Sequence, residues 1–517
     1  MRVIDYFDRG AALAPDRLVI FSREHRFTYR EMARLTHQIA GAIAWRSGAG
    51  EVGSVAVFSP NHALAFACVL GALRAGGIWV PINARGHIDD NIAFLNTADC
   101  RWLFIHSSFA EHIPRIRAEV PTLEHVVCLD GRFEGAVDLE TFLEKTAPEL
   151  PDVPDDPERV CGLFPTGGTT GRSKAVMFTH RVWETMVATY WSCMPAEDPP
   201  VYLVAAPMTH AAGVVAIPLL AKAATLIVLE RADPLEIMEA IERHRVTDLF
   251  LPPTVIYSML AHPRVREFDY SSLRHFLYAA SPIAPDRLAE AVQVFGPVMV
   301  QSYGQAEAPM FCTFLSARDH LVLDDPERRK RLASCGRPTM FTRLEIMDDE
   351  GRLLPPGERG EIVVRGNLVM AGYYKDPAAT AEARRYGWHH TGDVGYRDED
   401  GFVYIVDRKK DMIITGGFNV YSTEVENVIL SHPSVENCVV IGVPDPKWGE
   451  AIKAVLELKP GCTVAEEEII TLCKSRLGGV KSPKSVEVWP QLPRSPVGKI
   501  LKREIRDRYW AGRERMV

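Results

Sequence analysis

The chain has 517 residues, 47% hydrophobic and 24% charged, the balance of a folded globular protein too long for one ordinary core. A net charge of −8 and a pI near 6.1 exclude nucleic acid as the main partner, which would need a basic face. Ten cysteines without a C-x-x-C pair argue against a disulfide framework or zinc site and place the chain in a reducing, cytoplasmic compartment. The opening M-R-V-I-D-Y-F-D-R-G has early acids and no apolar signal core.

Taken in order, Thr28-Tyr29-Arg30-Glu31 reads as a capping box opening a helix, in which Met32, Leu35, Ile39 and Ile43 recur at helical spacing. Strands are expected at Ser54–Phe58, Ile78–Ile82, Trp102–Ile105 and Val126–Leu129, with helices around His62–Leu73 and Ile88–Asn96. The proline- and Asp-rich 151–157 stretch is a connection. Beyond it, strands at Leu226–Leu229, Asp248–Leu251, His275–Ala279 and Val298–Gln301 alternate with helical patterns such as Leu235, Met238 and Ile241. Val201 to Leu229 is mostly apolar, but Pro207, His210, Pro218 and Lys222 interrupt it, so it divides into strand, loop, helix and strand and does not span a membrane. The first ~330 residues therefore read as two comparable α/β layers. From Leu344 the pattern becomes hairpin-rich, with strands Leu344–Met347, Glu361–Arg365 and Phe402–Val406. The charged Asp407-Arg408-Lys409-Lys410-Asp411 is the expected domain boundary. After it, helices at Ser422–Ser431 and Ala465–Arg476 and strands at Cys438–Gly442 and Ala451–Leu458 make a small α+β domain.

Five stretches carry chemistry. Thr166 to Lys174, T-G-G-T-T-G-R-S-K, packs three glycines, hydroxyls, an Arg and a Lys into nine residues. Glycine lets backbone N–H groups approach an anion, hydroxyls add donors, and the cations supply charge, so this is a phosphate cradle. Its spacing is not that of a Walker A loop. A flexible linker has similar composition, but would not need Arg172 and Lys174, nor the strand before and the helical pattern expected after it. Gln301-Ser302-Tyr303-Gly304-Gln305-Ala306-Glu307 sets an aromatic, a glycine and an acid at the carboxyl end of a strand, where open α/β sheets bind ligands; an ordinary strand-to-loop transition would read equally well. In His389-His390-Thr391-Gly392-Asp393 the adjacent histidines point apart, which disfavours a metal, and Asp393 is expected in a turn, ready to accept from hydroxyls or from its own backbone. Thr415-Gly416-Gly417-Phe418-Asn419 is a second glycine loop. Pro493-Arg494-Ser495-Pro496-Val497-Gly498-Lys499 taken alone reads as a solvated basic tail.

The order and spacing of these stretches resemble the adenylate-forming superfamily and, within it, the acyl-CoA synthetases, from about Thr28 to Arg503. The glycine loop resembles [ST]-[SG]-G-[ST]-T-G-x-P-K, and Y-G-Q-A-E resembles Y-G-x-T-E. The T-G-D, D-R-K-K-D-M-I-I-T-G-G-F-N and P-x-x-x-x-G-K elements match in order. The resemblance implies a large N-terminal α/β domain of two layered subdomains plus a β-rich segment, residues 1–408. A small mobile α+β domain, 409–517, would follow a hinge at Lys410. It implies activation of a carboxylic acid with ATP and Mg2+ to an acyl-adenylate, then transfer to the thiol of coenzyme A. Thr166, Gly167, Gly168, Thr169, Thr170, Gly171 and Lys174 would hold the β/γ-phosphates, with Glu307 and Thr170 at Mg2+. Tyr303 would stack on adenine in a pocket lined by Ser281, Gln301, Ser302 and Gly304, while Asp393 and Arg408 would hold the ribose. Lys499 would reach the carboxylate and α-phosphate. Arg85, Gly416, Gly417 and Trp448 would serve coenzyme A, and His210, Ala211, Ala212, Ala279 and Ala280 the acyl pocket, with His210 positioning or gating. The alternative for His210 is a core histidine bonded to backbone.

The sequence departs from the pattern at Gly167-Gly168, at Ser173 in place of Pro, at Ala175 in place of Gly, and at Gln305-Ala306 before Glu307. Small residues in the acyl pocket admit a medium- or long-chain or bulky apolar acid, and Ala279 can equally pinch it. An amino acid is disfavoured, because no Asp follows Pro207-Met208-Thr209 to pair an ammonium. A ligase that loads a carrier protein, and a nucleotide-binding module without catalysis, are the competing readings. The expected partners are small molecules, with a homodimer also admitted.

Overall fold

A computed structural model describes residues 1–166, 173–281, 283–322, 325–494 and 500–511. By internal contacts the chain forms two units, Met1–Leu344 with Val364–His389, and Glu345–Val363 with His390–Val517.

The first unit is built on two sheets, because its strands are apolar on both faces and its helices amphipathic. In the nine-stranded sheet, Leu18–Phe21, Thr225–Val228, Val201–Val204, Asp248–Leu251, His275–Tyr278 and Met299–Gln305 lie side by side in parallel. Antiparallel strands close its two edges: Arg26–Thr28 on one side, Ala308–Leu315 and Arg337–Pro338 on the other. The seven-stranded sheet runs Val137–Asp138, His125–Cys128, Cys100–Ile105, Ser54–Phe58, Ile78–Pro81, Val160–Pro165 and Ala175–Thr179. Only its last strand is antiparallel. The two α/β layers expected from the alternation are therefore these two sheets.

Helix placement follows local chemistry. Thr28 Oγ1 accepts from Glu31 N at 3.3 Å and the Glu31 carboxylate accepts from Thr28 N at 2.8 Å, closing the expected capping box at the start of Tyr29–Ser47. That helix buries Met32, Ile39, Ala40 and Ile43. The apolar 201–229 stretch divides into Val201–Val204, a helix at Ala211–Leu220 and Thr225–Val228. Among the described residues no helix is long and apolar enough to cross a membrane. All ten cysteines are free thiols.

The second unit holds most of a four-stranded sheet, Arg343–Met347, Gly360–Arg365, His389–Arg397 and Val403–Arg408, and a sheet ordered Phe418–Val420, Ile413–Thr415, Gly449–Leu458, Val435–Asp445, with Ser485–Val488 beside Gly449–Leu458. Helices Ser422–Leu430 and Glu466–Lys481 cover the latter, packing Val425, Ile429, Ile469 and Cys473 onto Val440, Ile452 and Leu456. The β-rich segment 345–363 clusters with these residues.

Candidate functional site

The glycine loop joins the last two strands of the seven-stranded sheet, with Pro165 opposite Ala175. The helical pattern expected directly after the loop is corrected to the strand Ala175–Thr179, and the helix begins at His180. Its β-branched and aromatic residues Val176 and Phe178 pair with the preceding strand, which a helix could not do. The base of the loop is tied three ways. Thr166 N donates to Lys174 O at 3.1 Å, Lys174 N to Thr166 Oγ1 at 3.2 Å, and Ser173 Oγ to Thr166 O at 3.0 Å. The last bond is one that Pro could not make. Gly167, Gly168, Thr169, Thr170 and Gly171 lie outside the described residues, as does Lys499.

Glu307 occupies the hairpin turn between Met299–Gln305 and Ala308–Leu315, where Gln305 pairs with Ala308. Gln301 to Gln305 thus form the end of a strand, longer than the expected Val298–Gln301, and the turn sets Glu307 just beyond it. Gly304 is required here, since a Cβ would lie 2.5 Å from Met310 N. Glu307 Oε1 accepts the Tyr373 hydroxyl at 2.7 Å, and Lys174 Nζ stands 4.7 Å above the Tyr373 ring. Tyr373 therefore joins Lys174 to the acidic turn. Burial, then the Glu307 charge, push its phenol well above its ordinary value, so it remains a donor. Tyr373 was missed in the sequence, where the doubled tyrosine of A-G-Y-Y-K was the available signal. Tyr373→Phe keeps the ring under Lys174 and removes the donor to Glu307. It is expected to slow acid-dependent pyrophosphate exchange roughly 10-fold, the loss of one charge-assisted hydrogen bond, with little change in Tm. An unaltered rate across a Mg2+ titration would show that the bond does not position Glu307.

Beside the turn, Ser302 Oγ is buried, the residue only 2% exposed, with no hydrogen-bond partner among the described residues. Gln301 lies 3.2 Å from the Tyr278 hydroxyl, which is 3.0 Å from His320 Nε2. Burial lowers the His320 pKa to about 4, so the ring is neutral and donates Nδ1–H to Ser316 O at 2.7 Å. Tyr303 and Ser281 are half-buried. Ala279 is buried and Ala280 exposed, the latter at φ +76°, a left-handed conformation costing an L-residue about 1 kcal/mol.

His210 caps the helix Ala211–Leu220, and its Nδ1 lies 3.0 Å from Thr209 Oγ1. Burial, with a smaller contribution from Arg85, lowers its pKa, so the ring is neutral near pH 7. Ala212 is buried and Ala211 half-buried. The structure brings Arg85 into electrostatic reach of His210, a proximity the sequence did not reveal.

In the second unit Asp393 lies within the strand His389–Arg397, a correction to the expected turn. Its backbone pairs with Arg408, and Arg408 Nε lies 3.7 Å from Asp393 Oδ1. Pairing across an antiparallel ladder is what holds these two side chains together. The adjacent histidines do point apart: His389, the last residue of the first unit, has its Nε2 3.2 Å from Gln305 Oε1 of that same unit, while His390 Nδ1 lies 3.0 Å from Glu361 Oε2 within the second. Glu361, buried, also accepts from Gly392 N at 3.0 Å and Lys409 Nζ at 3.1 Å. Burial raises its pKa, but the bonds and charges of His390 and Lys409 outweigh this and hold the carboxyl below its ordinary 4.5. A lowered carboxyl stabilises the fold above its unfolded value, and that stabilisation is lost as pH falls through the folded value. Glu361→Gln should therefore cost about 3 kcal/mol at pH 7, and thermal melts of variant and parent should converge as pH falls through the lowered carboxyl value. A gap that stays constant to low pH would exclude this ion network.

Lys410 is half-buried, and its pKa is lowered by burial and by Arg408. Arg506 Nη1 donates to Lys410 O at 3.3 Å and to Asp411 Oδ1 at 3.0 Å. Gly416 and Gly417, at φ +57° and +82°, form the two-residue turn between Ile413–Thr415 and Phe418–Val420. Gly416 N donates to Trp448 O at 2.8 Å, and a Cβ at Gly416 would lie 2.7 Å from the Trp448 ring, which is 41% exposed. Three of the four residues expected at coenzyme A thus form one surface, with Arg85 in the first unit.

The AMP-binding enzyme family matches residues 7–374, and the AMP-binding enzyme C-terminal domain matches residues 424–499. The chain is 38% identical over 518 residues to medium/long-chain-fatty-acid–CoA ligase FadD8 of Mycobacterium tuberculosis, covering 96% of this chain and 88% of that one. It is 37% identical over 509 residues to feruloyl-CoA synthase of Amycolatopsis sp, covering 97% and 98%. Among solved structures, the amide bond synthetase McbA of Marinactinospora thermotolerans superposes with a TM-score of 0.88 at 29% identity, covering 98% of this chain and 100% of that one.

Proposed function

As a member of the AMP-binding enzyme family, and within the adenylate-forming superfamily an acyl-CoA synthetase, the chain is an ATP-dependent acid–thiol ligase, and we propose that it activates a medium- or long-chain or bulky apolar carboxylic acid in the cytoplasm. The carboxylate attacks the α-phosphorus of ATP, forming the acyl–phosphate bond as pyrophosphate leaves. The thiol of coenzyme A then attacks the acyl carbonyl, losing its proton, and AMP leaves. Both steps place charge on leaving phosphates, so fixed donors and cations are the main requirement.

The observation that carries this reading is the linkage of Lys174, Tyr373 and Glu307. It sets a cation for the phosphates and a carboxylate side by side. One carboxylate with phosphate oxygens fits the coordination Mg2+ prefers. When bound by Glu307 and Thr170, Mg2+ would neutralise the pyrophosphate. Thr166 to Lys174 grip the β/γ-phosphates, and Tyr303 stacks on adenine over Ser281, Gln301, Ser302 and Gly304. The unpartnered Ser302 hydroxyl supports that pocket, since a buried donor costs free energy until a ligand accepts from it. Asp393 and Arg408 hold the ribose. Lys499 serves the adenylating step, and Lys410 is the hinge between residues 1–408 and 409–517. Neutral His210 positions the acyl carbonyl, with Ala211, Ala212, Ala279 and Ala280 around the chain. Arg85, Gly416, Gly417 and Trp448 receive coenzyme A.

The test is a pyrophosphate-exchange and hydroxamate screen across fatty, aryl and polycyclic acids, followed by AMP release with coenzyme A, a holo carrier protein or an amine as acceptor. Exchange with an apolar acid and AMP release with coenzyme A are expected. Preference for a carrier protein or an amine would reassign the acceptor, and no exchange with any acid would leave a nucleotide-binding module.

A further inference from the structure

The seven-stranded sheet has a topological switch point that the adenylation chemistry does not use. Ser54–Phe58 is followed in sequence by Ile78–Pro81 on one side of it, and then by Cys100–Ile105 on the other. Ligands of open α/β sheets bind in the crevice at the carboxyl ends of the two strands flanking such a reversal. Here His62 follows the first flanking strand, and His106 follows the second. The hairpin joining Leu18–Phe21 to Arg26–Thr28, at the edge of the nine-stranded sheet, contributes Glu24 and His25.

These side chains meet. The ligand atoms of Glu24, His25 and His62 all lie within 4.8 Å of one another. His62 Nε2 is 3.4 Å from Glu24 Oε2, which is the edge of a tetrahedron with ligands at about 2.1 Å. The His62 ring lies 5.1 Å from that of His25 and 5.0 Å from that of His106. His106 is engaged elsewhere: its Nδ1 accepts from Ser108 N at 3.1 Å and its Nε2 faces Asp130 Oδ2 at 3.3 Å.

A histidine held only for packing should have both ring nitrogens bonded, as buried His320 does. His62 is 7% exposed, yet its Nδ1 has no partner among the described residues and its Nε2 has only the long contact to Glu24. Leaving such a group unmet costs free energy. A cation held by His62, His25 and the Glu24 carboxylate would use the one face of His62 that is not closed off by packing.

We propose that Glu24, His25 and His62 form a Zn2+ site, with water in the fourth position and the His106–Asp130 pair flanking it. Two imidazoles and one carboxylate suit a borderline divalent metal, and not Mg2+, which requires oxygen ligands. Glu24 is exposed and His25 half-exposed, which gives the ion a route in and lets both side chains rotate through the small distance that closes the site. The metal would staple the hairpin of one sheet to the switch-point loop of the other.

The full chain, stripped with a chelator, is titrated with Zn2+ against a chromophoric competitor, and separately with Co2+ to read the visible absorption of a four-coordinate site. One Zn2+ per chain is expected, and Zn2+ should raise Tm by mass action. Excess Mg2+ should not displace it. Glu24→Gln and His25→Ala, both on an exposed hairpin, should each weaken binding about 100-fold and abolish the Zn2+-dependent rise in Tm while leaving the metal-free Tm unchanged. His62→Gln should do the same to binding. Absence of saturable Zn2+ binding, displacement by Mg2+, or undiminished binding in both Glu24→Gln and His25→Ala would each overturn the proposal.

Discussion

Lys499→Ala is expected to slow adenylation by about 10²-fold or more, the effect of deleting one donor aimed at transition-state charge. Lys499 belongs to the P-x-x-x-x-G-K element and lies outside the described residues, so its role rests on the family's pattern. The residues around it are suited to holding it. The preceding stretch is anchored by Arg494 Nη2 at 2.9 Å from Glu457 Oε2, and the helix Lys502–Asp507 begins three residues beyond it. Lys502, half-buried, bonds Glu426 Oε1 at 2.7 Å. The chain on both sides of Lys499 is thus fixed to the second unit, and its loss should not unfold the unit. The diagnostic is the split between half-reactions. Pyrophosphate exchange should fall, while transfer from preformed acyl-AMP to coenzyme A should run at the parent rate. Equal damage to both would remove Lys499 from the adenylating step.

Gly416→Val should produce the opposite split. Its Cβ would meet the Trp448 ring at 2.7 Å, and a β-branched residue at φ +57° adds about 1–2 kcal/mol of backbone strain. The ring must move or the turn must open, and displacement of about 1 Å at a reacting centre can cost 10²-fold. Thioester formation from preformed acyl-AMP should drop by about that factor, with pyrophosphate exchange preserved. If Gly417→Val, whose Cβ meets no atom within 4 Å, damages the same step equally, turn strain alone is responsible and Trp448 is not the cause.

Much of the architecture was legible because burial leaves periodic traces. Ser54–Phe58 and Asp248–Leu251 appear at the expected residues, and the capping box at Thr28 forms as written. Edge strands were not legible. Ala175–Thr179 follows a loop of glycines and cations, and nothing in five residues separates a strand from the start of the helix beyond. Asp393 looked like a turn residue because Gly392 precedes it, yet Gly392 takes its positive φ inside a paired strand. At the site, Glu307 and Lys174 were visible as charged residues in ordered motifs. Tyr373 was not, since its role depends on two partners 66 and 199 positions away in the chain. The unmet nitrogen of His62 is equally invisible in one dimension, being a property of what surrounds it.

The tied base of the glycine loop has an evolutionary consequence. Because a β-ladder and three hydrogen bonds hold Thr166, Ser173 and Lys174 together, the entropy of closing the loop is met by the sheet and not by a bound phosphate. The base of the loop therefore keeps its form through the sheet's own hydrogen bonds. If the segment between Thr166 and Ser173 grips the phosphates of ATP, as proposed, the part a lineage can vary to adjust its ATP requirement is separate from the part that closes the loop.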